Sequence, residues 1–525
     1  SSTGSRLPNN SKQIRVYSWG FGKYGQIGSL DYHYSTSPLE LNLEKSEDLE
    51  ENSPQDSPLI NPQRIVCGEF HSAIIDDKNQ LYSFGKNTFG QLGTGDTFVS
   101  SFPRRIIFPE QVKITQVACG GEHTLALSSK NELYCWGLNV YGQLGLNHNK
   151  NRLSPTKVTL FREFEYSVET QEILKESSKN ILDKEIIQEI ATGSHHSMIL
   201  TSANKVYSCG YNKFGQLGLY NKNEFIGECL VFTFIPYLRD GKLRNISCGV
   251  YHSGCIVGND QFCIWGVGDN LLFDTPTMIR PSSNKKVKWK VINDFQIGMN
   301  FCAITADEGD IYTAGSNNYG ELGNNSQIGR KNLDKVSIQE PVIRLAVGYT
   351  HVMAVTSSKK VFGWGSSKNG QLADQHLERI LNPKEFMTLS ELNPIQIVAG
   401  GYHSAMLSLN KSFRTINSIK TVPQNCGFSL GFITTHLNYI QTILDSQNQK
   451  KMQIIEQEGE IERITKNIEK LKVEALKPRR NERDKDSVQS SSTNYEVFEE
   501  DIKLTDLIYP GGDTNLGVGT FGGVE

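Results

Sequence analysis

Apolar runs of strand length recur through roughly the first 410 residues, and polar turns separate them. Ser72 to Asp76 and Leu81 to Gly85 flank the turn Asp77-Lys78-Asn79-Gln80, a pattern that predicts a β-hairpin with a short loop. Each such hairpin lies between two signatures. Before it stands Gly-x-x-His-Ser or a near variant, at Gly68/His71, Gly120/His123, Gly193/His196, Gly249/His252, Gly348/His351 and Gly400/His403. An eroded copy sits at Gly298/Phe301. After the hairpin stands Gly-x-x-x-x-Gly-Gln-x-Gly, opening at Gly20, Gly85, Gly137 and Gly210, with weaker copies at Gly315 and Gly365. The copy after Trp265-Gly266 is eroded to Leu271, Leu272 and Asp274.

Spacing turns these signatures into an architecture. The interval from 68 to 85 is 17 residues, and so are 120 to 137, 193 to 210, 249 to 266, 298 to 315 and 348 to 365. A distance held through six units belongs to a rigid element. The reverse intervals run from 32 to 56 residues, so they hold a strand pair and loops of changeable length. Gly20 has no partner signature upstream and Gly400 has none downstream. Pairing Ile397–Leu409 with Ile14–Gly20 therefore supplies a seventh unit and removes the open edges of a radial array. The prediction is an all-β, seven-bladed β-propeller over 14–410, closed by N- and C-terminal strands, behind a disordered lead at 1–13.

Three reverse intervals are enlarged. Ser29 to Asn61 is strongly acidic, through Glu40, Glu44, Glu47, Asp48, Glu50, Glu51 and Asp56, and reads as a solvated insertion. Within Leu146 to Lys184 and just beyond, Phe161 to Ile187 predicts an amphipathic helix. In Leu219 to Leu243, the apolar run Cys229 to Leu238 predicts a buried strand or a docking patch. Because all three occupy the same kind of interval, they are expected on one face of the ring, as its binding surface.

After Asn410 the glycine signatures stop. A linker at 411–432 precedes an α-helical coiled coil at 433–476, where Ile454, Ile461, Ile464, Ile468, Leu471 and Ala475 form an a/d seam. The seam predicts a homodimer; a helix folded back on the propeller is the alternative. Residues 477–497 read as a flexible polar linker.

Composition narrows the chemistry. A net charge of -3 gives no reason to expect nucleic acid as a partner. The longest apolar stretch, near Cys229 to Leu238, is too short to span a membrane. No methionine precedes Ser1, so the ends look cut, and the lead lacks the apolar core of a secretory signal. Ten cysteines without a Cys-x-x-Cys pair argue against zinc or a redox site, and read as buried thiols of a reducing compartment such as the cytoplasm. Six of eleven histidines share one repeat position. A ring spreads them too widely for a metal or catalytic cluster, so each reads as a buried imidazole bonded to backbone. The glycines read as backbone devices, not phosphate cradles, and no cofactor is expected. Trp19, Trp136 and Trp364 share another repeat position and read as packing between units.

The paired signatures, in seven register-matched copies over residues 14 to about 410, resemble the regulator of chromosome condensation family. That resemblance implies a seven-bladed propeller. It also implies one of several roles: exchange factor for the GTPase Ran, ubiquitin-ligase module, cilium-associated scaffold, plant photoreceptor or regulatory half of a kinase. The photoreceptors stack many tryptophans, whereas this chain has five. In the Ran exchange factor an aspartate before one signature histidine matters for nucleotide release. Here those positions are Phe70, Glu122, His195, Tyr251, Asn300, Thr350 and Tyr402, so only Glu122 carries a carboxylate and is the candidate partner-binding residue. At the other end, Leu516 to Val524 resembles the glycine-rich loop that opens a protein kinase domain, with 498–525 as its start. Gly517, Gly519, Gly522 and Val524 would then touch nucleotide, provided a kinase follows. The leading expectation is a scaffold binding protein partners in the cytoplasm, at a cilium or on the cytoskeleton. A small-GTPase exchange factor and the regulatory region of a longer kinase are the alternatives. As it stands, the chain is not expected to be an enzyme.

Overall fold

The computed structural model describes residues 14–29, 32–43, 60–166, 173–219, 227–238, 241–268, 271–279, 289–375 and 378–409. The lead, most of the acidic insertion, the coiled coil, the polar linker and the kinase-like end lie outside the described residues.

The described strands form seven antiparallel sheets around one axis, a seven-bladed propeller. In each sheet the strands are named a to d from the axis outward. Blade I consists of Pro62–Cys67, His71–Asp76, Leu81–Gly85 and Ser100–Arg105. Blades II to VI repeat the order over 114–157, 187–234, 243–279, 292–336 and 342–385. Every b strand of blades I to VI is buried along its whole length. Neighbouring blades cover it on both sides, which is why these strands read as unbroken apolar runs. The core accordingly lies between blades: Ala73, Ile75 and Leu81 of blade I pack with Ile114, Ala126 and Trp136 of blade II. The hairpin turns joining b to c place Asn79, Asn131, Asn204 and Lys359 at positive φ, where asparagine is the best-tolerated residue with a side chain.

Terminal closure is as the repeat arithmetic requires. Blade VII takes a and b from Pro394–Ala399 and His403–Leu409, and c and d from Ile14–Gly20 and Ser35–Glu40. Its seam is unbroken from Ile14 opposite Leu409 to Gly20 opposite His403. Val16 and Trp19 in this strand are fully buried.

Two expectations are corrected. The helix predicted over 161–187 is a strand pair, Phe161–Tyr166 with Ile173–Lys179. Phe161 runs parallel to the d strand of blade III, opposite Phe232, and widens that sheet to six strands. The unpaired edge of that strand accepts a main-chain ladder, and Phe161 is buried against Tyr207 and Phe232. Nor do the enlarged intervals share a face. Each reverse interval contains two connections, c to d and d to the next a, which leave opposite ends of strand d. The acidic and hairpin insertions lie in d–a connections. In blade III the residue facing Gly210 is Cys229, whereas Ser100 faces Gly85 in blade I, so the extra residues there fall in the c–d loop. The run from Cys229 is the buried d strand Glu228–Phe234.

Candidate functional site: the turn-bearing face and its axis

The a–b turns and c–d loops share one face of the ring. At its centre seven glycines meet. A Cβ on Gly68 would lie 2.6 Å from the Gly120 carbonyl oxygen, and the pattern passes through Gly193, Gly249, Gly298, Gly348 and Gly400 back to Gly68. None of these contacts leaves room for a methyl group. The close approach lets main chains bond across blades: Glu69 N–H donates to Gly120 O at 3.1 Å, and Gly401 N–H to Gly68 O at 3.0 Å. An open cavity of about 390 Å³, mouth included, lies on this axis, lined by these glycines except Gly298 and by Cys67, Cys119 and Cys248. Burial pushes the Cys67 and Cys248 thiols up to about 12, so they stay protonated and unreactive at neutral pH.

Outside the glycines runs a second lock, and it corrects the reading of the histidines as bonded to backbone. His71 Nε2 lies 2.9 Å from Thr124 Oγ1 of the next blade, and His123, His196, His351 and His403 reach Ser197, Ser253, Ser404 and Ser72 in the same way. Each of these hydroxyls donates to a carbonyl of the preceding blade's Gly-Gln loop, as Ser197 does to Gln143 O at 2.8 Å. The hydroxyl proton being spent, its oxygen accepts from the imidazole N–H, which fixes a neutral tautomer. Burial pushes His71, His196, His351 and His403 down to about 3. The same carbonyls accept an indole N–H: Trp136 on Gln91, Trp265 on Gln216, Trp19 on Gln371, with Trp364 on Glu321. Where blade V carries Cys302 in place of serine, His252 turns to Leu271 O within its own blade.

The glutamine side chains carry the site outward. Gln91 Oε1 accepts from Phe89 N–H at 3.0 Å, and Gln26, Gln143 and Gln216 hold Tyr24, Tyr141 and Phe214 likewise. Glu321 does the same for Tyr319. Each buried amide thus fixes an aromatic residue on the face. These rings meet the residue that precedes the signature histidine of the next blade: Tyr24 with Phe70 at 5.4 Å, Tyr141 with His195 at 5.4 Å, and Phe214 with Tyr251 at 4.6 Å. Two aromatic clusters result. One joins Phe21, Tyr24, Phe70, Tyr349 and Tyr402. The other joins Tyr141, His195, Tyr211, Phe214 and Tyr251.

Glu122, the candidate partner-binding residue of the sequence, lies on this face but is engaged. It forms an ion pair with Lys86, whose ammonium sits 5.2–5.9 Å from the rings of Tyr24, Phe70 and Phe89. Beside it, burial raises the Glu69 carboxyl above the usual range, although the Tyr349 hydroxyl donates to it at 3.0 Å. Gly517, Gly519, Gly522 and Val524 lie outside the described residues. Sequence reasoning missed Lys86 and the aromatic position before Gly-Gln. The latter was visible as Tyr24, Phe89, Tyr141, Phe214 and Tyr319, recurring at one place in the signature.

The Regulator of chromosome condensation (RCC1) repeat profile matches residues 15–75, 78–127, 130–170, 204–256, 308–355 and 360–407, more than half of the chain. The chain belongs to the RCC1 repeat family. Among RCC1-repeat relatives, the ultraviolet-B receptor UVR8 of Arabidopsis thaliana is 29% identical over 288 residues, covering 49% of this chain and 62% of UVR8. The human E3 ubiquitin-protein ligase HERC2 is 24% identical over 408 residues, which is 75% of this chain and 8% of HERC2. The chain therefore spans less than two thirds of either relative. Prp20p of Saccharomyces cerevisiae superposes with a TM-score of 0.61 at 21% identity, over 77% of this chain and 93% of its own. Human WBSCR16 gives 0.58 at 20% identity, over 76% and 100%. These structures share the RCC1 fold. Four of the tryptophans here lie buried one to a blade, in IV, VI, VII and II, rather than gathered on a face.

Proposed function

We propose that this RCC1-repeat chain is an interaction propeller that docks a protein partner on the face bearing the a–b turns and c–d loops. One observation carries the reading: two clusters of partly exposed rings stand on that face, and Tyr24, Tyr141 and Phe214 among them are held by buried glutamines. Preformed aromatic anchors lower the ordering cost of binding, the usual basis of a hot spot. The rim adds Phe98, Ile328 and Tyr34, with exposures of 74%, 73% and 65%. Nine cysteines without disulfides among the described residues support a reducing, cytoplasmic setting.

A photo-crosslinking residue at Phe98 or Tyr319 should trap partners, and one at Ile107 or Met387 on the opposite face should not. The reverse distribution would overturn the assignment. Prp20p is described with binding properties to Gsp1p and histones, which makes a small GTPase one partner class to test. Because Lys86 holds the Glu122 carboxylate, GTPase binding without accelerated nucleotide release is expected. Release abolished by Glu122→Ala would instead establish exchange activity.

A further inference from the structure

The two aromatic clusters differ in one respect. The first contains its own cation, since Lys86 occupies the position just after the c-strand glycine of blade I and lies over the Tyr24–Phe70 pair. The Phe214–Tyr251 pair is built from the same repeat positions three blades further round the face, but the residue after the c-strand glycine of blade IV is Val267. In blade III that position holds Tyr211, which adds a ring to the cluster. The rings are tilted by 53–59° within the chain Tyr141, Tyr211, Phe214 and Tyr251, so they cannot stack face to face. Phe214 is 36% exposed. Among the described residues no lysine or arginine lies over these rings, although Lys213 is exposed nearby. Glu122, in the turn of blade II, is close enough to act on His195, but its carboxylate is paired with Lys86, so the rings themselves carry the site.

We propose that Tyr141, Tyr211, Phe214 and Tyr251 form a docking site for a lysine or arginine side chain of the partner. Ring faces carry negative potential and attract a cation within about 6 Å. The site does for an incoming cation what the first cluster does for Lys86. This rests on the docking-face reading, and its test separates the two.

The probe is tetramethylammonium, followed by proton NMR against the neutral, similarly sized tert-butanol. The methyl signal of the cation should shift upfield in a saturable manner with the full chain, and tert-butanol should not respond. Phe214→Leu with Tyr251→Leu keeps apolar bulk but removes both π faces. It should weaken binding roughly tenfold at an unchanged melting temperature. Lys86→Ala, which vacates the first cluster, should add a second binding equivalent. Equal response to both probes, or full retention of binding in the leucine variant, would overturn the cation site. If that occurs while crosslinks still map to Phe98 and Tyr319, the docking face stands and only its ligand chemistry falls.

Discussion

His196 is surrounded by neighbours that leave it no room for charge. Its pKa of about 3, like those of His71, His351 and His403, lies below the unfolded value near 6.5 because burial penalises the imidazolium. The unfolded chain therefore binds more protons than the folded one between these limits, and stability is full above pH 6.5 and falls as the medium is acidified. Four such groups should cost roughly 5 kcal/mol between pH 7.5 and 5.5. Urea midpoints at the two pH values check this, and equal midpoints would mean that the imidazoles are accessible to protons. The repeated position of these histidines was legible in the sequence. Their partners were not, because His196 and Ser253 lie in different blades and nothing in a single signature says which hydroxyl faces which ring. Lys86 escaped notice for a similar reason: its aromatic contacts come from two blades and its carboxylate from a third.

Strands were easier to read than connections. The invariant interval of 17 residues defined the b–c hairpin, and all six copies form as expected. The segment from Phe161 was misread because polar and apolar residues in a hairpin on a sheet edge can mimic a helical period, and the edge that captures it lies some seventy residues downstream. Phe161 is fully buried, and Glu163 bonds the Tyr207 hydroxyl and Lys205, both at 2.7–2.8 Å. Phe161→Ala should therefore cost about 3–5 kcal/mol, as for other buried aromatics. Chemical denaturation measures it, and a loss below about 1 kcal/mol would show that the hairpin is an ornament on blade III. The closing strand is the second test at this scale. Removing residues 1–12 should leave the melting temperature unchanged, because pairing begins at Ile14. Removing 1–28 deletes Val16 and Trp19 and bares the b strand of blade VII, so the chain should aggregate or fail to fold. A soluble 1–28 deletion that melts like the parent would refute closure by the N-terminus.

For the whole molecule, the heptad pattern that the sequence carries from Ile454 to Ala475 makes oligomeric state testable. A chain ending at residue 410 should be monomeric by light scattering, and one ending at 477 should double in mass; equal masses would favour a helix that docks on its own propeller. The ring itself imposes a different constraint, one of time. Strands Ile14–Gly20 and Ser35–Glu40 are made before the other six blades, yet the b strand that completes their sheet, pairing with Ile14–Gly20, ends at Leu409. At about 5–20 residues per second, they wait tens of seconds for it. During that wait Val16 and Trp19, destined for full burial, have only the Ser35–Glu40 strand beside them and no b strand to join. Synthesis thus leaves this apolar segment without its b strand on every nascent chain until residue 409 is made, a standing client for a chaperone. A stall in translation late in the sixth blade should then be more harmful than one just after residue 409, although the two products differ by only a few dozen residues.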